Sequence, residues 1–303
     1  MANYVFHLLN MIGIYLILAY SLNLVLGLGG LMSFCHAIFY GIGAYAYTLA
    51  VVGRPGSAVA QDLLWTAAWP FPIAVIFAVA VSAAIANLMG RIILRFRGDF
   101  FVFASLGFQM MAFVVLYNWV GLGNGPFGIY GIPRPEVFGI VIRTPAQFLP
   151  LILLANLLVL PLLFLLYRSP FGLSLKALRE DGLAAQSLGV GASGQYLAAF
   201  TLSAGFAAVS GALFASYVSF IDPTSFNLKE SLFIATILLM GGSGNLKGPV
   251  TGVLIMLLLP EALRFLQLPD AVAANFREII YGAILIGLML FRPQGIAGTF
   301  RVK

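Results

Sequence analysis

The sequence predicts an all-α polytopic membrane protein with about eight to nine transmembrane or re-entrant helical segments. Of its 303 residues, 61% are hydrophobic and 9% are charged, and the mean hydropathy is +1.03. Soluble domains carry about a quarter of charged residues, so this composition could not cover a water-exposed surface. The apolar residues fall in long runs, several of which could cross a hydrocarbon layer about 30 Å thick as helices. Membrane-spanning strands would instead show segments of about ten residues with alternating polarity.

Apolar segments follow one another along the whole chain, which is predicted to be a single membrane domain over residues 1–303. They cover residues 8–26, 31–52, 70–94, 100–120, 146–167, 195–220, 231–240, 249–263 and 279–291. Two of the last three segments are short for a full crossing.

The basic residues set the predicted orientation, because Lys and Arg concentrate in cytoplasmic loops. They form three clusters: Arg91, Arg95 and Arg97; Arg168, Lys176 and Arg179; Arg292, Arg301 and Lys303. Placing all three in the cytoplasm requires residues 231–263 to leave and re-enter on the outer side, as a hairpin broken at the glycine-rich residues 241–248. The same parity predicts an outer N-terminus, a cytoplasmic C-terminus and an inward-facing glycine turn at residues 27–30.

The two glycine-broken hairpins, one near each end of the chain, hint at an internal repeat. Paired interrupted segments in two halves of a chain point to a transport site. Five small residues are expected at close helix contacts, where they would let helices slide or would simply pack: Gly27, Gly29, Gly30, Gly41 and Gly43.

Signatures of an enzyme or of an ion-coupled carrier are missing from the sequence. It contains no phosphate-binding loop, HExxH or GxSxG motif, so no catalytic residue and no metal ligand is predicted. Ion-coupled carriers usually hold acids inside the membrane, yet only Glu261 falls plausibly within a span. The one cysteine, Cys35, excludes an intramolecular disulfide. Basic residues at the ends of apolar runs orient helices, so binding to nucleic acid is not predicted.

The connection at about residues 168–194 is predicted to be a cytoplasmic coupling loop. Residues 175–188 can form a short helix, which Gly182 weakens and Gly189 suits at its end. Its expected apolar face is Leu178, Ala184, Ala185 and Leu188, and its exposed charged edge is Arg179, Glu180 and Asp181. Such a helix could rest on the bilayer or dock into a groove of another protein. The acids on its polar face argue against simple binding to anionic lipid.

The run of Arg179, Glu180 and Asp181, then Ala184 and Ala185, then Gly189, resembles the cytoplasmic EAA loop of ABC importer permeases. That motif has Glu before its paired alanines, where this chain has Leu183. The wider wording is similar to branched-chain amino acid permeases of the LivM type. Four further stretches resemble the same family in the expected order: residues 21–45, 124–129, 238–252 and 291–296.

This resemblance implies a permease subunit in a bacterial inner membrane, embedded in lipid. It implies four partner subunits of three kinds: a second homologous permease, two cytoplasmic ATP-binding subunits and an external substrate-binding protein. ATP and Mg²⁺ would be used by the ATPases, with no cofactor on this chain. The six motif residues from Arg179 to Gly189 would contact the ATPase.

The substrate stays open at this stage among branched-chain amino acids, urea, short amides and aromatic acids. Asn23, Ser33 and His36 are the polar residues expected near the path. A buried His is also compatible with a simple hydrogen bond to a neighbouring helix. The alternatives to an importer are an ion-coupled secondary transporter or channel, a membrane enzyme and a structural membrane subunit.

Overall fold

The computed structural model describes residues 2–52, 69–137, 140–264, 282–283, 286–287 and 295–298. Its helices are α1 (Ala2–Leu22), α2 (His36–Val51), α3 (Phe71–Ile93), α4 (Asp99–Asn118), α5 (Val120–Gly123), α6 (Pro145–Arg168), α7 (Pro170–Glu180), α8 (Gly182–Ser187), α9 (Ala192–Val218), α10 (Leu228–Gly241) and α11 (Lys247–Arg264). A π-helical stretch, Asn23–Leu28, extends α1, and 3-10 turns lie at Gly125–Phe127 and Pro223–Phe226. The short strands β1 (Ile129–Tyr130), β2 (Glu136–Val137), β3 (Ile140–Val141) and β4 (Phe220–Ile221) pair antiparallel, β1 with β4 and β2 with β3.

Five helical segments within the described residues are long and apolar enough to cross a membrane. They are Asn3–Leu28, Phe71–Ile93, Asp99–Asn118, Pro145–Arg168 and Ala192–Val218. The prediction of an all-α polytopic membrane protein is confirmed. Most of the predicted last segment, 279–291, lies outside the described residues.

Helix α2 is the centre of the bundle and packs against α3 and α9. Its contact with α9 is close because glycines remove side chains from both helices. A Cβ on Gly43 would overlap the backbone of Ala208, and a Cβ on Gly211 would overlap the Tyr40 carbonyl. Small residues at such crossings let helix backbones approach in a membrane, where lipid is as apolar as the side chains. The predicted close contact at Gly43 is confirmed.

Residues 29–35 are not helical, so α2 begins at His36. Its first turn is buried inside the protein. The predicted apolar segment 31–52 therefore started too early as a helix. Two polar side chains bind the amides of this buried turn: Ile38 N–H donates to Gln109 Oε1 at 3.1 Å and Ala37 N–H donates to Ser231 Oγ at 3.0 Å. Irregular backbone at membrane depth survives only where the protein supplies such partners.

Three contacts between distant parts of the chain show which segments lie at each end of the helix bundle. Near the N-terminus of α1, Tyr4 donates to the Glu261 carboxylate on α11, and His7 Nδ1 lies 2.8 Å from the Tyr217 hydroxyl at the end of α9. At the other end, Arg179 of α7 donates to the Gly27 carbonyl. The end of α11 thus lies away from α7, whereas the break between α10 and α11 lies near it.

We expect Gly211→Ala to destabilise the fold, because its Cβ would overlap the Tyr40 carbonyl and approach Ala44 N to 2.7 Å. Overpacking of this kind costs about 1–3 kcal/mol. The melting temperature of the detergent-purified protein would fall accordingly. The matched control is Gly107→Ala, where nothing lies within 4 Å of the added Cβ. Equal melting of both variants would contradict the close α2–α9 contact.

Candidate functional site

The coupling segment forms two helices, so the prediction of one helix over residues 175–188 is wrong. The break lies at Asp181, whose carboxylate accepts from the amides of Leu183 and Ala184 at 3.0 Å each. Aspartate is a strong N-cap residue, and glycine directly after it is a weak helix former. These two residues together favour ending α7 and starting α8 over continuing one helix.

The predicted apolar face is only partly buried. Leu178 and Ala185 face the protein, whereas Ala184 is exposed and Leu188 is 86% exposed. Leu188 was expected on the inner face, and the break at Asp181 rotates it outward. Leu183, which stands where the related motif has Glu, is also exposed, at 80%. The segment therefore presents leucines as well as charges to its surroundings.

Gly189 ends α8 in a Schellman motif, as its glycine predicted. Its φ is +89°, its N–H donates to Gln186 O at 3.0 Å and the Val190 N–H donates to Ala185 O at 3.1 Å. These are the two bonds that define the motif, and they satisfy carbonyls at the helix end.

Arg179 joins the coupling segment to the glycine turn after α1. Its guanidinium donates to the Gly27 carbonyl and forms an ion pair with Glu180 at 2.6 Å. The Arg179 side chain is 11% exposed and that of Glu180 is 63% exposed. Gly30 has a φ of +69°, and a Cβ there would meet Arg179 Cγ at 2.6 Å. Arg179 therefore holds the turn while Glu180 faces outward.

Asn23 joins the same turn to the break between α10 and α11. Its Oδ1 accepts from the Gly244 amide at 3.0 Å, and its Nδ2 donates to the Asn245 carbonyl at 2.8 Å. A Cβ on Gly27 would lie 2.7 Å from the Gly244 amide nitrogen. The two glycine breaks predicted near opposite ends of the sequence thus meet in space.

Residues near the C-terminus close the same junction. The amides of Ile296 and Ala297 donate to the carbonyls of Met240 and Gly241, each at 2.9 Å. Asn245 Nδ2 also donates to the Ala297 carbonyl. We name the set Arg179, Gly27, Asn23, Gly244 and Asn245 the glycine junction.

The other two residues predicted near the path are buried and bonded within the chain. His36 Nε2 lies 2.7 Å from Ser21 Oγ, which donates its proton to the Leu18 carbonyl at 2.7 Å. Ser33 Oγ lies 3.2 Å from Cys35 Sγ. The described linings of the cavities beside α2, α6, α7 and α10 do not include Asn23, Ser33 or His36.

A cavity of about 720 Å³ opens beside the start of α10. Its described lining includes Lys229, Glu230, Phe233, Thr236 and Met256. The sequence analysis did not identify this site. The sequence feature that could have pointed to this cavity is the pair of adjacent opposite charges, Lys229 and Glu230, just before a short apolar segment.

The fold and the junction are those of a membrane transport protein. Its interior contains broken helices, and these are hydrogen-bonded to the predicted coupling segment α7–α8 at the edge of the bundle. The chain belongs to the family described as branched-chain amino acid transport system, permease component, whose model matches residues 4–289. It is therefore a permease subunit of a transport system.

Curated relatives are also permease proteins of transport systems. The chain is 33% identical to the high-affinity branched-chain amino acid transport system permease protein LivM of Escherichia coli (strain K12), over 93% of this chain and 67% of the relative. It is 26% identical to LivH of the same strain, over 95% of this chain and 92% of the relative. It is 27% identical to the autoinducer 2 import system permease protein LsrC of Yersinia pseudotuberculosis, over 71% and 62% of the two chains. No solved structure matches significantly.

We expect Asn23→Ala to loosen the glycine junction, because the Gly244 amide and the Asn245 carbonyl would each lose a partner. An unsatisfied buried group costs about 1–3 kcal/mol. The measurements are the melting temperature and hydrogen exchange of residues 242–246, which should become faster.

The matched control for Asn23→Ala is Asn118→Ala, since the Asn118 side chain donates only to Val114 O of its own helix, at 2.9 Å. Unchanged exchange at residues 242–246 in Asn23→Ala would show that the junction does not depend on this side chain.

Proposed function

We propose that this permease is a pore-forming subunit of an ATP-driven importer for branched-chain amino acids. One observation carries the proposal: a segment with exposed charges and leucines, α7–α8, is hydrogen-bonded through Arg179 to the glycine junction inside the bundle. Movement of α7 would pull on the Gly27 carbonyl, and Asn23 would pass the displacement to the α10–α11 break. The family membership and the LivM and LivH relatives support the substrate class.

The proposed contact surface for an ATPase consists of the motif residues Arg179, Glu180, Asp181, Ala184, Ala185 and Gly189. They divide the task between them. Glu180 and Ala184 are exposed and would touch the ATPase, whereas Arg179 faces the bundle and would transmit the movement. Asp181 and Gly189 define where α8 begins and ends.

The proposed assembly contains a second homologous permease, two cytoplasmic ATP-binding subunits and an external substrate-binding protein. In it, α7–α8 faces the bacterial cytoplasm and the N-terminus of α1 faces outward. The whole chain acts as a single permease domain, and ATP and Mg²⁺ are used by the ATPases. Asn23, Ser33 and His36 remain proposed path residues, which would require a conformation that opens the buried region around them.

The assembly is tested by uptake of radiolabelled leucine into vesicles containing the permease pair, the ATPases and the binding protein. We expect uptake that requires both ATP and the ATPases. Uptake by this chain alone on an ion gradient would contradict the proposal and support a secondary transporter. ATP hydrolysis without leucine uptake would contradict the substrate and direct the assay to urea, amides or aromatic acids.

We expect Glu180→Lys to leave the protein in the membrane but to lower ATP-driven uptake at least about tenfold. A reversed charge at an interface costs several kcal/mol, and each 1.4 kcal/mol is a factor of about ten. Stimulation of ATP hydrolysis by the loaded binding protein would be lost as well. Membrane level, uptake and hydrolysis are measured together.

The matched control for Glu180→Lys is Asp99→Lys, which makes the same charge change at an exposed position at the start of α4. We expect it to retain uptake. Normal uptake by Glu180→Lys would remove α7–α8 from the coupling role.

A further inference from the structure

The cavity beside α10 carries two opposite charges on consecutive residues. Lys229 and Glu230 both line it, together with the hydroxyl residues Thr224, Ser225 and Thr236. The Glu230 carboxylate has a defined position because Tyr15 of α1 donates to its Oε1 at 2.7 Å. The backbone amide of Glu230 is also bound, since it donates to the Asn227 side chain at 3.2 Å. The acidic group is therefore anchored at the start of α10.

The remaining wall of the cavity is apolar. Leu232, Phe233 and Met256 line it, and the Phe233 ring stands edge-on to Tyr15 with the ring centroids 5.6 Å apart. Tyr15 thus positions both the acid and the aromatic ring. A volume of about 720 Å³ falls in the range of small-molecule sites, which are usually apolar with a few placed polar groups.

We infer that this cavity is a transient substrate site for a zwitterionic α-amino acid with an apolar side chain. Lys229 would bind the carboxylate, Glu230 would bind the ammonium group, and the wall of Phe233 and Met256 would take the side chain. This inference rests on the proposed function and deepens it by giving that substrate class a binding site. Urea and short amides carry no net charges to match the pair, and aromatic acids lack the ammonium group.

The position of the cavity follows from contacts midway along α1 and α4. Tyr15 of α1 binds Glu230 in its wall, and Ser231, the next residue, donates to Gln109 Oε1 of α4 at 3.1 Å. The cavity therefore lies at mid-depth of the bundle, which suits a transient substrate site. From this site α10 runs directly to the glycine junction at its other end. A ligand here therefore lies on the element whose far end Asn23 holds.

The test uses an introduced thiol as a reporter inside the cavity. The natural Cys35 is buried, so Thr236→Cys adds the accessible thiol of this chain. The full importer is treated with N-ethylmaleimide, whose neutrality makes its approach independent of Lys229 and Glu230, and the adduct is read as the mass of this chain. We expect millimolar leucine to slow labelling. 4-Methylpentanoate, which lacks the ammonium group, and 3-methylbutylamine, which lacks the carboxylate, should protect at least about tenfold more weakly.

The charged pair is tested in the same background. Lys229→Gln and Glu230→Gln should each raise the leucine concentration for half-protection at least about tenfold. Arg143→Gln is the matched control, because it removes a charge from an exposed residue outside the cavity lining. Lys229 is exposed, so its replacement leaves the packed interior intact.

Several results would overturn the inference: no protection by leucine, equal protection by the two analogues, or Gln variants that protect like the parent. Uptake of leucine on ATP is measured in the same preparation. Uptake without protection would refute the site and leave the proposed function standing. Protection without ATP-driven uptake would support the site and refute the importer.

Discussion

Backbone that leaves helical geometry inside a membrane must find every hydrogen-bond partner within the protein, and this constraint explains the most unusual parts of the structure. The chain breaks between α1 and α2 and again between α10 and α11. At both places, side chains from distant segments bind the amides and carbonyls that have no partner within a helix. These side chains are Gln109, Ser231, Asn23 and Arg179. In a membrane, where apolar packing contributes little specificity, these few polar residues determine which segments lie together.

The molecule has two kinds of contact that differ in stiffness. The contact of α2 with α9 is backbone against backbone through Gly43 and Gly211, so neither helix can rotate without a clash. The glycine junction is instead a set of hydrogen bonds between side chains and irregular backbone, which can be exchanged at lower energy. The alternation between inward and outward access that we propose for this subunit would use both, and the junction lies where α7, α1 and the α10–α11 hairpin meet.

Much of this architecture could be predicted from sequence because the signals are local. Composition predicted the membrane class, the basic clusters at Arg97 and Arg179 predicted that those two loops share a side, and Gly189 predicted the end of α8. The third basic cluster lies outside the described residues. The errors had local causes too. Residues 31–35 are mostly apolar, and their composition does not show whether their backbone is helical. The Asp181 side chain accepts hydrogen bonds from the next backbone amides and so ends α7, which apolar spacing does not show. Pairing of Asn23 with Gly244 could not be seen, since no local pattern links residues so far apart in the chain. The cavity at Lys229 and Glu230 was missed for a similar reason, because Tyr15 and Met256 complete it from other helices.

The Schellman closure at Gly189 has a thermodynamic consequence for assembly. Helix α8 has only six residues and could not persist alone in water, yet Asp181 caps its beginning, the two bonds at Gly189 and Val190 close its end, and Ala185 is buried. If the proposed ATPase subunit binds there, the loop would therefore lose little conformational entropy, and more of the contact energy at its exposed leucines would remain as affinity. A short helix held at both ends in this way behaves as a preorganised ligand built into the membrane protein.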